Sequence, residues 1–397
     1  MTRKILVVTA SRQQLPLIQR AQELGIVVVA TDRDPSAPGL SVADFAEVAD
    51  TLDPEAVLDI ARRHNVAAVV TEQTDVAVPT VALVAERLGL RGIGSDVARA
   101  ATNKYEMRRR CQAAGIPTPQ FHLCSTLVDA QRAAKEIGFP VILKPVDNQS
   151  SRGVTKVPSI ETLDSAFAEA TRNSRSGGIL VEEMMNGIES AVDAFVDADT
   201  VTTLAVCDKA KCAPPYSFDL RLVFPGRFDR AILDELRSMN EAVIRAIGIR
   251  MGITHGEYIV TPRGVRLIEI AARGCGARVA TDLLPAMTGA DLLGARLRQA
   301  LGEQPRLEVR RALAGVLDFI VLPPGRLRRV SGVDEARGMH GVVGVEVSVR
   351  EGQQWAAVKS GNARHGYVLA VGETIDAALK VASDARSRLN FEVEALT

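Results

Sequence analysis

The stretch LIEIAARGCGARV (267–279) delivers Glu269 from an apolar run and then Arg273 into a glycine-rich turn. Upstream, HGEYIV carries Glu257, and TPRG between the two runs reads as the turn of a hairpin. Glu257 and Glu269 then lie on its two arms and can share a face. Like charges directly opposite one another destabilise a sheet by up to ~1 kcal/mol, so two glutamates kept that close need a cation between them. Hard carboxylate oxygens suit Mg²⁺, which takes one or two protein carboxylates and completes its shell with water and phosphate. A hairpin out of register, with both glutamates solvated and the turn merely capped, accounts for the same residues equally well, because register is not readable from sequence.

Two further groups of residues bear on chemistry. Lys144 ends the apolar run VILK, and the loop DNQSSRG follows, with Ser150, Ser151 and Gly153 able to wrap phosphate oxygens. Lys104, in the basic helix NKYEMRRRCQAAG, offers a second positive charge. Short glycine-containing loops are common, and a plain hairpin turn with solvated lysines is the competing account. In GILVEEMMNGIE, Met184 and Met185 can form a slot for an adenine ring, with Glu182 and Glu183 beside it and Glu189 accepting from ribose hydroxyls. Methionine pairs are more often core filler, and adjacent glutamates are often a solvated face.

The elements that must position these residues follow from periodicity. KILVVTA, LPLIQRAQELG and IVVVATD make a βαβ unit, and a second round through AAVVTEQTD implies a parallel sheet over residues 1–115. Asp32 and Glu72 sit at strand ends, where such sheets bind ligands, and the first loop, TASRQQ, lacks a GxGxxG fingerprint. After the linker IPTPQ, the pattern becomes α+β, with a lid subdomain at about 118–183 and an antiparallel lobe at about 184–304. A small α+β unit is expected over 305–397.

Composition excludes several classes. With 397 residues and 47% apolar content, the chain is expected to fold as two or three units. Lysine plus arginine (48) equals aspartate plus glutamate (48), so no global field draws it to nucleic acid or an anionic membrane. Five scattered cysteines without a CxxC pair point to reduced thiols rather than to disulfides or zinc. No run is long and apolar enough to span a membrane, and MTRKILVVTA is unlike a signal peptide, so a soluble cytoplasmic protein is expected.

In their order, NKYEMRRRCQAAGIPTP, FPVILKP with SSRGV, ILVEEMMNGIE, and GEYIV followed by RLIEIAAR resemble the ATP-grasp superfamily of carboxylate-amine ligases over nearly the whole chain. The resemblance implies an N-terminal parallel-sheet pre-ATP-grasp domain of Rossmann-like type (1–115), a two-lobed ATP-grasp domain (116–304) and a C-terminal ligase domain (305–397). It implies ATP with Mg²⁺, or Mn²⁺ in its place, together with a small carboxylate and an amine as substrates. Lys104, Lys144, Ser150, Ser151 and Gly153 would meet the phosphates. Glu182, Glu183, Met184 and Met185 would line the adenine, Glu189 would reach the ribose, and Glu257 and Glu269 would hold the metal. Homodimerisation follows by the same resemblance.

The EIAAR form, with Ala271 where most of the superfamily places asparagine, is similar to the L-amino acid ligase branch, which makes dipeptides. In that branch the arginine matching Arg273 helps hold the acyl phosphate or the substrate carboxylate. Arg273 is accordingly expected, beside Lys144, to meet the charge that develops on the transferred phosphoryl or tetrahedral oxygen, with Arg278 as a second contact. Leu222, next to Arg221, stands where many members of the branch carry a histidine. The implied reaction is carboxylate attack on the γ-phosphate of ATP, followed by capture of the acyl phosphate by an amine, with the DNQSSRG hairpin as a lid against water. The alternative is a purine-pathway type of carboxylase or ligase acting on a phosphoribosyl substrate, for which Arg12 and Arg33 leave room as an anion site.

Overall fold

The computed structural model describes residues 3–149, 151–213 and 218–395. Four parallel strands open the chain: Lys4–Val8, Val27–Asp32, Phe45–Val48 and Ala68–Val70, with the first and second at the centre and the third and fourth at the edges. The two central strands are buried almost throughout, as expected where helices cover both faces of a parallel sheet. Local chemistry sets the helix ends. Asp53 caps the amide of Ala56 before Pro54–His64, and Asn65 closes that helix in the left-handed conformation at φ 50°.

One face of this sheet is closed from far along the chain. Leu293, Leu297 and Ala300 of the helix Leu292–Ala300 pack with Leu17 and Ile18 in one core, and Arg20 bridges Asp291 at 2.7 Å. The segment assigned from sequence to the metal-site lobe thus also forms part of the N-terminal unit's packing.

The lid is an antiparallel sheet ordered Phe121–Cys124, Ile179–Glu183, Val141–Pro145, Thr155–Val157. Its core lies under the helices Leu127–Ile137 and Leu163–Asn173.

The largest sheet has eight strands. Its edge is the hairpin Met251–Thr261 and Gly264–Ala271, followed by the hairpin Ile188–Asp197 and Thr200–Lys211, then Asp219–Phe224. The sheet continues into Ala314–Ile320, Gly366–Gly372 and Val342–Val347. Leu222 pairs with Leu317, and Val223 with Val316, across the boundary drawn at 304/305. Residues 305–397 extend the large sheet by three strands and add a three-stranded sheet and the helix Ile375–Arg388, around a core of their own that includes Ile320, Leu327 and Val368. Among the described residues no helix is long and apolar enough to cross a membrane.

Candidate active site

The arms Met251–Thr261 and Gly264–Ala271 form one antiparallel hairpin, and the structure decides its register. Glu257 and Glu269 are register partners, and a bulge follows between Glu257 and Tyr258. Lys209 Nζ lies 2.7 Å from Glu257 Oε1, and Lys104 Nζ lies 2.8 Å from Glu269 Oε2. Burial pushes the Glu257 carboxyl up, but Lys209 and His255 outweigh it and hold it well below the usual carboxylate range. Burial opposes the charge of Lys209, yet Asp219 and Glu257 hold its pKa well above the ordinary lysine value. Glu257 and Glu269 both line a cavity of about 640 Å³. A second cavity, about 520 Å³, shares Thr9, Asp32, Gln149, Arg152 and Glu269 with it.

Lys104 begins the helix Lys104–Ala113, whose N-terminus is fixed by the Asn103 side chain accepting from the amides of Tyr105 and Glu106. Its ammonium also donates to the Asn148 carbonyl at 2.6 Å, at the base of the loop 147–153. One turn on, Arg108 is wholly buried and donates to Glu182 at 2.7 Å and to the Ile268 carbonyl at 2.7 Å. Lys144 meets the other oxygen of Glu182. Burial lowers the Lys144 pKa. It raises that of Glu182, but the two cations more than reverse this and bring Glu182 below its ordinary value. Glu182, read from sequence as adenine-lining, is thus the shared anion of a buried triad.

The loop tip is engaged on several sides. Gln149 Oε1 accepts from the Asp75 amide at 3.0 Å, and Asp147 accepts from the amides of Arg175 and Ser176. Ser151 and Gly153 both take positive φ, 56° and 74°. A Cβ on Gly153 would fall 2.7 Å from Asn173 and 2.9 Å from Pro145, so only glycine fits that turn without movement. Ser150 lies outside the described residues. Met184 and Met185 are half-exposed in the connection between the lid and the large sheet and join no core cluster, so they are not core filler. Glu183 pairs with Arg263 at 2.6 Å, and Glu189 with Lys211 at 2.6 Å.

Arg273 lines the larger cavity and is clamped by both oxygens of Asp75, at 2.9 and 2.8 Å. Arg278 sits at φ 59°, its amide donating to Gln73 at 3.1 Å and its guanidinium paired with Asp282. It is not among the residues lining either cavity. Glu72, expected at a ligand-binding strand end, is instead buried and accepts from the Gly274 amide at 2.9 Å, which anchors the turn after Arg273. Asp32 does line both cavities, Arg33 lines the smaller, and Arg12 lines neither. Leu222 lines the larger cavity with an apolar side chain, so nothing at that position ionises.

Sequence reading missed Arg108, Lys209, Lys211, Asp219 and His255. Two signals were present: Arg108 follows Lys104 by one helical turn, and Lys209 and Lys211 alternate along one strand and share its face.

A parallel-sheet domain, an antiparallel lid and a large antiparallel lobe with carboxylates facing lysines at their junction define an ATP-grasp enzyme. Residues 137–282 match the family model of the ATP-grasp domain, and residues 318–394 match that of the L-amino acid ligase C-terminal domain 2. The chain belongs to the ATP-grasp superfamily and is an ATP-dependent ligase. It is 28% identical to the formate-dependent phosphoribosylglycinamide formyltransferase of Nitratidesulfovibrio vulgaris, over 94% of this chain and 92% of that one. It is 26% identical to an uncharacterized protein, y4rH, of Sinorhizobium fredii, over 97% and 81%.

In fold it is similar to the L-amino acid ligase of Bacillus licheniformis, with a TM-score of 0.84 at 20% identity over 99% of both chains. It is also similar to the biotin carboxylase domain dimer of the Hydrogenobacter thermophilus 2-oxoglutarate carboxylase, solved with MgADP. There the TM-score is 0.79 at 21% identity, over 99% of this chain and 91% of that one.

ATP and Mg²⁺ are its cofactors, and the residues fit them. The facing carboxylates are hard oxygen donors that line the cavity, and each is neutralised by a lysine able to turn toward phosphate.

Proposed function

We propose that this ligase phosphorylates a small carboxylate with ATP and passes the acyl group to an amine. The observation that carries the reading is the register pairing of Glu257 with Glu269 at the junction of the two cavities. In this reading the two glutamates hold Mg²⁺, which neutralises charge on the phosphates. Lys104 exchanges Glu269 for a phosphate oxygen, Lys144 is held in place by Glu182, and the amides and hydroxyls of 150–153 close over the phosphates as a lid. Glu183, Met184 and Met185 border the base, and Glu189 reaches the ribose. Arg273 leaves Asp75 to meet the charge that develops on the acyl phosphate, and Arg278 serves as a second contact.

For the finer identity, the curated relatives support the purine-type alternative more strongly than peptide formation. A relative matched along 94% of this chain is a formate-dependent phosphoribosylglycinamide formyltransferase. The corresponding reaction here would activate formate or a similarly small carboxylate and transfer it to a phosphoribosyl-bearing amine.

Ligation of an amino acid is the second reading, supported by the match at residues 318–394 and by the charge of the larger cavity. Lys209, Lys211 and Arg273 there are each ion-paired, and Arg364 donates to the main-chain carbonyls of Asp219 and Gly361. Arg152 likewise donates to the main-chain carbonyl of Gln149 at 3.3 Å, so among the described residues every one of these cations would exchange a protein partner for a ribotide phosphate, while Asp219 and Glu346 bring carboxylates to the same cavity. A homodimer belongs to the same proposal.

The test is ADP release across a matrix of carboxylates, formate and amino acids, against amines with and without a phosphoribosyl group, with the product identified by mass spectrometry. Release that needs formate and the phosphoribosyl amine supports the first reading, and an amino-acid amide supports the second. Release without any joined product would overturn both.

A further inference from the structure

Beneath the glutamate pair lies a cluster that the ligase reading does not use. Asp193 and His255 are register partners on adjacent strands, and Asp193 Oδ1 is 2.9 Å from His255 Nδ1. Cys275 arrives from the turn after Gly264–Ala271. The Cys275 sulfur, an imidazole nitrogen and an Asp193 oxygen all lie within 4.8 Å of one another. All three side chains are buried, and Asp193, wholly inaccessible, has a second oxygen, Oδ2, with no hydrogen-bond partner. A buried carboxylate oxygen left without a partner is costly and needs an explanation.

Backbone geometry holds the cluster together. A Cβ on Gly274 would come 2.4 Å from Ala280, and the Gly274 amide is pinned by Glu72, so the turn carrying Cys275 has little freedom. His255 and Cys275 also line the larger cavity, which gives an ion a path in.

We propose that Asp193, His255 and Cys275 form a binding site for a thiophilic divalent transition-metal ion such as Zn²⁺, separate from the Mg²⁺ site at Glu257 and Glu269. Thiolate and imidazole select such ions, whereas an all-oxygen pair suits Mg²⁺. Bonds of about 2.0–2.3 Å in a tetrahedral shell put ligand atoms about 3.3–3.8 Å apart, so closure from the present spread takes only small side-chain rotations. The fourth position faces the cavity, where His255 Nε2 already lies 3.3 Å from Glu257 Oε1. Zn²⁺ would therefore compete for Glu257 and weaken the neighbouring metal site.

Co²⁺ is the probe, because a thiolate ligand gives it a near-ultraviolet sulfur-to-metal charge-transfer band that an all-oxygen site does not. The full-length protein is expected to show that band at one equivalent of Co²⁺ and to lose it on adding Zn²⁺. Cys275→Ser should abolish the band and weaken Zn²⁺ binding by at least the roughly 10–100-fold that loss of an outer-shell partner brings. Glu269→Gln and Cys212→Ser should both retain it, since Cys212 is the most exposed of the five thiols. Absence of the band in the wild type, its survival in Cys275→Ser, or its loss in Cys212→Ser alone would overturn the proposal. His255→Gln, checked for an unchanged thermal melt, gives an independent second loss.

Discussion

Glu257 and Glu269 face each other as register partners, and each carboxylate leans on a lysine from a different part of the chain, Lys209 in the large sheet and Lys104 at a helix start. The repulsion expected of facing carboxylates is thus met by protein cations. In the proposed function, binding of metal and phosphate is an exchange of partners, in which the carboxylates would take the metal and the ammonium groups the phosphate oxygens.

Glu269→Gln should leave the fold standing, since it removes one partly buried bridge while Lys104 keeps its hydrogen bond to the Asn148 carbonyl. Mg²⁺-dependent ADP release should fall by at least about 100-fold. Urea unfolding measured beside activity separates the two effects, and a loss of activity matched by unfolding would refute the metal role.

Arg273→Ala should lower kcat by about 10²–10³-fold, with little change in the KM for ATP, because in the proposed function its guanidinium acts on charge that appears only during transfer. Steady-state kinetics over a range of ATP concentrations checks this. Turnover equal to the wild type would sink the assignment.

Glu182→Gln should be among the most destabilising changes in the lid. It strands Arg108 and Lys144, two buried cations, and breaking a buried ion pair typically costs about 3–5 kcal/mol. Lys144→Met leaves the Arg108–Glu182 pair intact and should cost less while weakening nucleotide binding. Denaturant melts of the two variants should rank in that order. A Glu182 that only bordered the adenine would leave the melt unchanged.

Acid should loosen the contact between the N-terminal sheet and the helix Leu292–Ala300. Burial raises the Asp291 pKa, but Arg20 and the Gly294 amide reverse this and hold it below its ordinary value. A depressed carboxyl contributes stability above its unfolded pKa of ~3.9 and loses it as pH falls through the folded value. Asp291→Asn should therefore lose less stability than the wild type between about pH 5 and pH 3, read from urea midpoints.

Much of this architecture was legible one residue type at a time. Alternation around DADT and TPRG located both hairpins of the metal-site lobe, because a half-buried strand must alternate and a tight turn must be polar. Lys104 and Lys144 could be picked out because each stands at the end of a periodic element. The ion pairs of Glu182 were not legible because a glutamate beside a base and a glutamate between two buried cations look identical in sequence. Its partner Arg108 comes from 74 positions away.

What the sequence determined by itself was the set of elements, the sites of their turns and the residue types able to hold phosphate and metal, all consequences of short-range periodicity and capping. Tertiary structure alone decided register, ion-pair partners and continuity. It brought Glu257 opposite Glu269, clamped Arg273 on Asp75, gathered Asp193, His255 and Cys275, and ran one sheet through position 305. These depend on contacts between residues distant in the chain, whose energies arise only when the packed elements remove them from water.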